Sequence, residues 1–437
     1  MQCKLNIRVI IVIMVIWSTA TVPNAIAQFT VGGQLLTRGE YRNGYGHLIS
    51  KGEKPYFGIG QRARIHFQYD HEKVKFFTSV QDVRTWGSTS QANLSDDFLS
   101  VHEAFAEIPL GELWAVKVGR QELNYDNARF LGNLDWALQA RSHDFALVKF
   151  EREHMKLHIG AGYNQAKVAL VREPYTISNQ YKIAQLFHYE NFLGPIELSF
   201  LFWNNGMEQN DQGKLKIRYS QTVGFPKVIV KSGNFTFSGF YYHQLGRDVT
   251  NSKTNANDAS AQASYKIIWD EERGKKFQTT LGFEILSGTS QQATDNTNQS
   301  YNPFYGTNHA HNGYMDLFYV GGGNTNSVGL QDYFLRMRFD PSAKLFLSIN
   351  THQFFTAADG YTGNVKLSRT LGTELDFTIG FTANEVISLQ GGYSQLFANA
   401  SFEILSGESN AAIMQNWGYV ALLIRPNMKN RFVGLSF

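Results

Sequence analysis

Three observations predict an all-β chain closed into a single transmembrane antiparallel barrel of about 18 strands. Apolar and polar residues alternate over 8 to 14 positions, longer than an ordinary soluble strand. The connectors between these runs are short and long by turns. The chain also opens with the pattern of an export leader.

The leader comes first in the chain. Lys4 and Arg8 supply a positive start, Val9 to Trp17 is unbroken apolar sequence, and Ala25-Ile26-Ala27 offers a small-x-small cleavage site. This predicts a signal peptide over residues 1–27 and a mature barrel over 28–437. The single cysteine, Cys3, belongs to the leader. The mature chain therefore has no means for a disulfide, thiolate catalysis or a Cys-bound metal.

Composition removes several classes. Hydrophobic residues make up 43% of the 437 residues and aromatics 14%, which excludes a disordered chain. No second apolar run of about 18 residues follows the leader, which excludes a bundle of membrane helices. The net charge of +3 is too small to argue for nucleic acid. Without Lys4 and Arg8, 38 bases face 37 acids, so any basic character must be local.

The clearest strand is Phe57 to Asp70. Ile59, Ala63, Ile65, Phe67 and Tyr69 fall on one face, and Arg62, Arg64, His66, Gln68 and Asp70 on the other. Lys214 to Thr222 repeats the pattern, with Leu215, Ile217 and Tyr219 opposite Lys214, Lys216 and Arg218. Asp332 to Phe339 sets Tyr333, Leu335, Met337 and Phe339 against Phe334, Arg336 and Arg338. Lys344 to His352 follows the same rule. In Leu371 to Ile379 the polar face is acidic: Glu374 and Asp376 oppose Leu371, Leu375, Phe377 and Ile379.

Short connectors are expected near His71-Glu72, Leu110 to Glu112, Glu151 to Glu153, Phe192 to Gly194, Glu271 to Gly274, Pro341-Ser342 and Ala383-Asn384. Long ones are expected over Asn43 to Pro55, Trp86 to Asp97, Asn124 to Ala140, Gln165 to Ile177 and Ser287 to Gly329. Short turns at one end and long loops at the other are the layout of an outer-membrane barrel, and they place the protein in a Gram-negative outer membrane. A soluble β-sandwich also alternates, but its strands are shorter.

In such a barrel the apolar face meets lipid and the polar face lines the lumen. The lining is then rich in bases: Arg62, Arg64, Arg218, Arg336 and Arg338, helped by Lys117, Lys214 and Lys216. Glu374 and Asp376 are expected to pair some of them. A ring of bases selects anions, whereas a lining of both signs suits a nonspecific porin, and alternation alone leaves both readings open. Trp86, Trp114, Trp203, Tyr241, Tyr242, Trp269, Phe354, Phe355 and Trp417 are expected in interfacial girdles.

The stretch Gly119 to Trp136, followed by Arg141-Ser142-His143-Asp144, resembles the core motif of the alginate-export outer-membrane family. Gln81 to Gly87 is similar to its upstream partner, and Leu371 to Asp376 to a later family strand. Asn302 to His309, with Gly313 and Asp316, resembles a loop of the Bacteroidetes-type branch. The resemblance implies an 18-stranded barrel with an electropositive constriction, passing the anionic polysaccharide alginate or its oligomers. It implies pore bases at Arg120, Arg129 and Arg141, partnered by Asp126, Asp135 and Asp144, with Arg84 and Glu374 in the same network. The other reading of Arg120 to Asp144 is a structural loop folded into the barrel and held by ion pairs.

The segment Met428 to Phe437 exceeds the pattern and reads as a terminal strand with an aromatic end. One chain makes a complete pore, so a monomer in outer-membrane lipid is expected. No cofactor is implied. His309-Ala310-His311 with Asp316 is either a weak metal pair or a polar surface loop. Asn251 to Asp258 reads as a loop without spaced calcium ligands. An outer-membrane lipase or deacylase would need a Ser–His relay. Adjacent Ser142, His143 and Asp144 point to opposite faces of a strand and cannot form one locally.

Overall fold

The structure is a computed structural model and describes residues 29–93, 95–318, 327–408, 410–426 and 432–435. Among these, eighteen antiparallel strands close a barrel. In chain order they are β1 (Phe29–Asn43), β2 (Tyr56–His71), β3 (Val74–Thr85), β4 (Leu99–Pro109), β5 (Trp114–Gln121) and β6 (His143–Arg152). Next come β7 (Met155–Tyr163), β8 (Ile183–Leu193), β9 (Ile196–Asp211), β10 (Lys214–Ser232), β11 (Phe235–Arg247) and β12 (Lys253–Asp270). The last are β13 (Lys275–Leu286), β14 (Leu330–Ser342), β15 (Leu345–Phe355), β16 (Thr370–Thr382), β17 (Ile387–Ala398) and β18 (Gln415–Ile424). Each pairs with the next, and β18 returns to β1 with Ile424 opposite Leu35. A single chain thus leaves no free edge.

Alternation decides which face is which. Along β2, Ile65 is 51% exposed on the outer face while Arg62 is fully buried on the inner one. Tyr333, Leu335 and Phe339 on β14, and Leu347 and Ile349 on β15, continue the outward apolar band. No helix of the described residues is long and apolar enough to cross a membrane. The bilayer is met by strands.

The connectors follow the expected rhythm, with turns displaced by a residue or two. One end carries the turns 72–73, 110–113, 153–154, 194–195, 233–234, 271–274, 343–344 and 383–386. The other end carries the connections 44–55, 86–98, 122–142, 164–182, 287–329, 356–369 and 399–414. Two tight links also lie at the long-loop end, at 212–213 and 248–252. Gln212 and Gly213 both have positive φ (52° and 83°), as the two-residue hairpin turn between twisted strands requires.

The lumen is not an open bore. The 122–142 and 287–318 connections fold into it and pack Leu123, Phe130, Leu131, Trp136, Tyr301 and Tyr305, all 5% exposed or less. A backbone bridge joins Leu131 to Tyr305, and Thr307 N–H donates to Ala128 O at 2.8 Å. Burying each large side chain stabilises this filling by about 1.5–3 kcal/mol.

Four expectations change here. Trp203, Tyr242, Phe354 and Trp417 are inward and buried, packed on the lumen filling, whereas Trp86, Trp114, Tyr241 and Trp269 are exposed as girdle residues should be. Leu371 is buried because the register slips between Phe354 and Phe355, which breaks the alternation beside it. Most of Asn251 to Asp258 is strand, since β12 begins at Lys253. Among the described residues the last strand is β18, and of the expected terminal strand Met428 to Phe437 residues 432–435 lie inside the barrel rather than in its wall, the others lying outside the described residues. The predicted leader, residues 1–27, lies outside the described residues.

Candidate functional site

Two anchors hold the lumen filling to the wall, and both use predicted site residues. Arg62 on β2 pairs with Asp135 at 2.7 Å and also donates to the Leu138 carbonyl at 3.2 Å. Arg425, just past β18, takes the other oxygen of Asp135 at 3.0 Å. Burial raises the Asp135 carboxyl, but the two guanidinium charges outweigh it and bring it down to about 2. Arg64 is held by Gln81, whose amide reaches the Gln139 carbonyl.

The second anchor is Arg129, fully buried within the filling. It meets Glu284 of β13 at 2.7 Å and Asp258 of β12 at 3.3 Å, and it donates to Asn312 Oδ1 at 2.8 Å. Burial lowers its pKa, yet the two acids more than offset that and hold the charge in place. Asp126 accepts from Ser199 (2.6 Å) and Tyr242 (3.1 Å) and sits 3.1 Å from His188 Nε2. These groups fasten loop to wall, as the structural reading of this stretch anticipates.

Glu374 and Asp376 do not pair with arginine among the described residues. Glu374 accepts the Met315 N–H at 2.9 Å, and Asp376 accepts from Ser394 at 2.5 Å. The base nearest Asp376 is instead His352, at 3.8 Å. Arg120 and Asp144 pair at 3.2 Å, but on the outward side, 41% and 54% exposed. Their neighbours Gln121 and His143 take the inward positions, so Arg120 and Asp144 do not line the lumen. Arg84 pairs with Asp82 and Asp96 near the long-loop end. Arg218 donates to the Val249 carbonyl at that mouth. Arg338 forks onto Asp340 at 2.7 and 2.8 Å nearer the short turns, and Arg336 lies over the Phe334 ring.

His309 is buried and His311 half-buried in the filling, rather than on a surface loop. His309 bonds Asp316 at 2.9 Å and stacks on Trp136, whereas burial drives His311 well below the usual histidine range. Two other clusters carry donors suited to a cation: His102, Glu103 and Glu122, and Asp126, His188 and Glu190. Their carboxylates already have internal partners, such as Asn133 on Glu122 and Lys156 on Glu190. His143 lies 3.3 Å from the Tyr181 hydroxyl and Asp144 is on the opposite face, so the local Ser–His–Asp order makes no relay.

Space remains on either side of the filling. At the long-loop end a cavity of about 670 Å³ is lined by Arg38, Arg42, Arg84 and Arg141 and by the acids Glu40 and Asp316, with Tyr45 and Trp136 among its aromatic walls; Glu40 pairs with both Arg38 (3.2 Å) and Arg42 (3.0 Å). A second, of about 230 Å³, is lined by Arg141, Arg247, Gln244, Asn298, Asn302 and Tyr305. Towards the short turns a cavity of about 400 Å³ contains Lys227, Glu284, His311 and Arg336. Arg38 and Arg42 are not among the predicted bases. Their signal was available, because Gln34, Arg38, Glu40 and Arg42 share one parity along β1.

Arg141 lines both cavities of the long-loop end. Among the described residues its guanidinium donates to two loop carbonyls, Gly306 O at 3.0 Å and Gly132 O at 3.4 Å. No carboxylate of the described residues lies within ion-pair reach of it. Burial pulls its pKa down to about 10, partly offset by Tyr305.

A closed single-chain barrel with an apolar outer band and charged inner walls defines an outer-membrane channel. The alginate-export family model matches residues 27–403, and the chain belongs to that family. Solved Pseudomonas aeruginosa barrels share the fold. OpdQ is 10% identical with a TM-score of 0.58, over 92% of this chain and 98% of its own. The outer membrane protein OpdK is 11% identical with a TM-score of 0.56, over 90% and 98%. OpdO is 12% identical with a TM-score of 0.56, over 90% and 96%. No curated protein sequence matches the chain.

Proposed function

We propose that this channel passes an anionic polysaccharide such as alginate or its oligomers, and that Arg141 is the base that receives its carboxylates. One observation carries the reading: the half-buried guanidinium of Arg141 faces two cavities and, among the described residues, has no carboxylate in ion-pair reach. A carboxylate entering either cavity supplies the missing charge, and guanidinium binds it bidentately. Arg38, Arg42 and Arg84 line the approach. Family membership supports the same cargo.

Planar-bilayer recording tests the proposal. Anion preference and block by uronate oligomers are expected, both weakened in Arg141→Gln and largely kept in Arg141→Lys. Cation preference, with no block by uronate oligomers, would overturn it. Conductance without selectivity and without response to Arg141 would instead make the protein a general porin.

A further inference from the structure

The wall ends at Ile424, yet Phe432–Leu435 sits within the lumen on the short-turn side of the filling. Val433 is 3% exposed there. Its N–H donates to Gln390 Oε1 at 3.0 Å, and its carbonyl accepts from Gln390 Nε2 at 2.9 Å. One wall amide therefore reads both main-chain groups of one residue. The second N–H of that amide goes to the Tyr419 hydroxyl at 2.7 Å, so Gln390 is fully used.

The flanking residues fit as closely. The Phe432 ring meets Phe346 of β15 edge to face, 4.9 Å between centroids. Gly434 has φ +67°, and any side chain there would collide with the Trp136 ring. Leu435 lines the cavity that holds Arg336 and Glu284, and packs against the core.

We infer that the lumen wall carries a peptide-binding site around Gln390, and that its occupant is the chain's own segment Phe432–Leu435, a tethered plug on the short-turn side of the channel. Main-chain recognition plus a side-chain pocket is how extended peptides are bound in general. A short tether keeps the local concentration of such a segment near the millimolar range, about what a modest contact set needs to stay seated. The contact set here is small: one bidentate amide, one aromatic edge and two packed residues. The filling above it has its own anchors to the wall at Arg62 and Arg129.

Single-channel recording in planar bilayers tests this through ion flow, so the result does not depend on the cargo. A chain truncated after Asn427 is expected to conduct severalfold more than the full chain. A synthetic peptide of residues 428–437 should close the truncated channel from the short-turn side only. Gly434→Val keeps the full length and should reproduce the gain. Phe346→Cys with Phe432→Cys, joined by a short thiol cross-linker, should stay closed while the unlinked form does not. Heat-modifiable migration on gels checks that each variant is a folded barrel. If the truncation does not fold, the cross-linked pair and Gly434→Val decide. Folded variants that conduct like the parent, with a peptide that has no effect, would overturn the inference.

Discussion

Trp136 and His309 lie ring on ring, 4.0 Å between centroids and 3° from parallel. The two residues come from different long connections, and the Arg38 guanidinium sits 4.0 Å from the Trp136 ring centre. Arg38 also donates to the Trp136 carbonyl at 2.8 Å. Wall, first loop and second loop meet at this one indole.

Removing that indole should loosen the filling without opening the wall. Trp136→Ala is expected to cost about 3–5 kcal/mol, the range for a large buried aromatic. Chemical unfolding in detergent measures the loss, and bilayer recording should show more frequent openings. A variant as stable and as quiet as the parent would contradict the role given to Trp136.

Asp135 predicts a pH dependence. Its carboxyl is depressed in the folded protein to about 2, below the ordinary aspartate value of about 3.9. The Arg62–Asp135–Arg425 anchor therefore contributes fully above that ordinary value. Its contribution falls away as pH drops towards the folded value. Channel noise or protease access to the 133–142 loop should rise between pH 4 and pH 2, as the cited shift requires. Asp135→Asn should show the looseness already at neutral pH and lose that part of the acid response.

Arg129 holds two buried acids. Arg129→Ala leaves Asp258 and Glu284 together without their cation, an expected loss of about 3–5 kcal/mol. The yield of heat-modifiable barrel reports it. Restoring near-parent stability with Asp258→Asn and Glu284→Gln in the same chain would support the charge account.

Arg120 gives the opposite expectation. Its pair with Asp144 is half exposed on the outer side, so Arg120→Ala should cost at most about 1 kcal/mol. Ion selectivity should stay unchanged. A marked shift in selectivity would place Arg120 back among the pore bases.

Much of the wall was legible in the sequence. The faces of Phe57 to Asp70, the outward band of β14 and β15, and the long connection from Ser287 to Gly329 agree with the structure. The motif from Gly119 to Asp144 was legible as a unit, but its members separate in space: Arg129 goes to the core, Arg141 to the cavities, Arg120 to the outer face. Arg38 and Arg42 were missed although β1 carries the parity signal.

The sequence by itself determined the barrel. Period-two alternation states on which side of a sheet each residue stands, and connector lengths state which strands are neighbours. The tertiary structure alone decided what the inner side faces. An inward arginine looks the same in sequence whether it meets water, a carboxylate or a loop carbonyl. That depends on loops returning to the wall from far along the chain: Arg129 finds Asn312 across 183 residues. No local pattern encodes such a contact, and it is those contacts that leave Arg141 facing open space while its neighbours are bound.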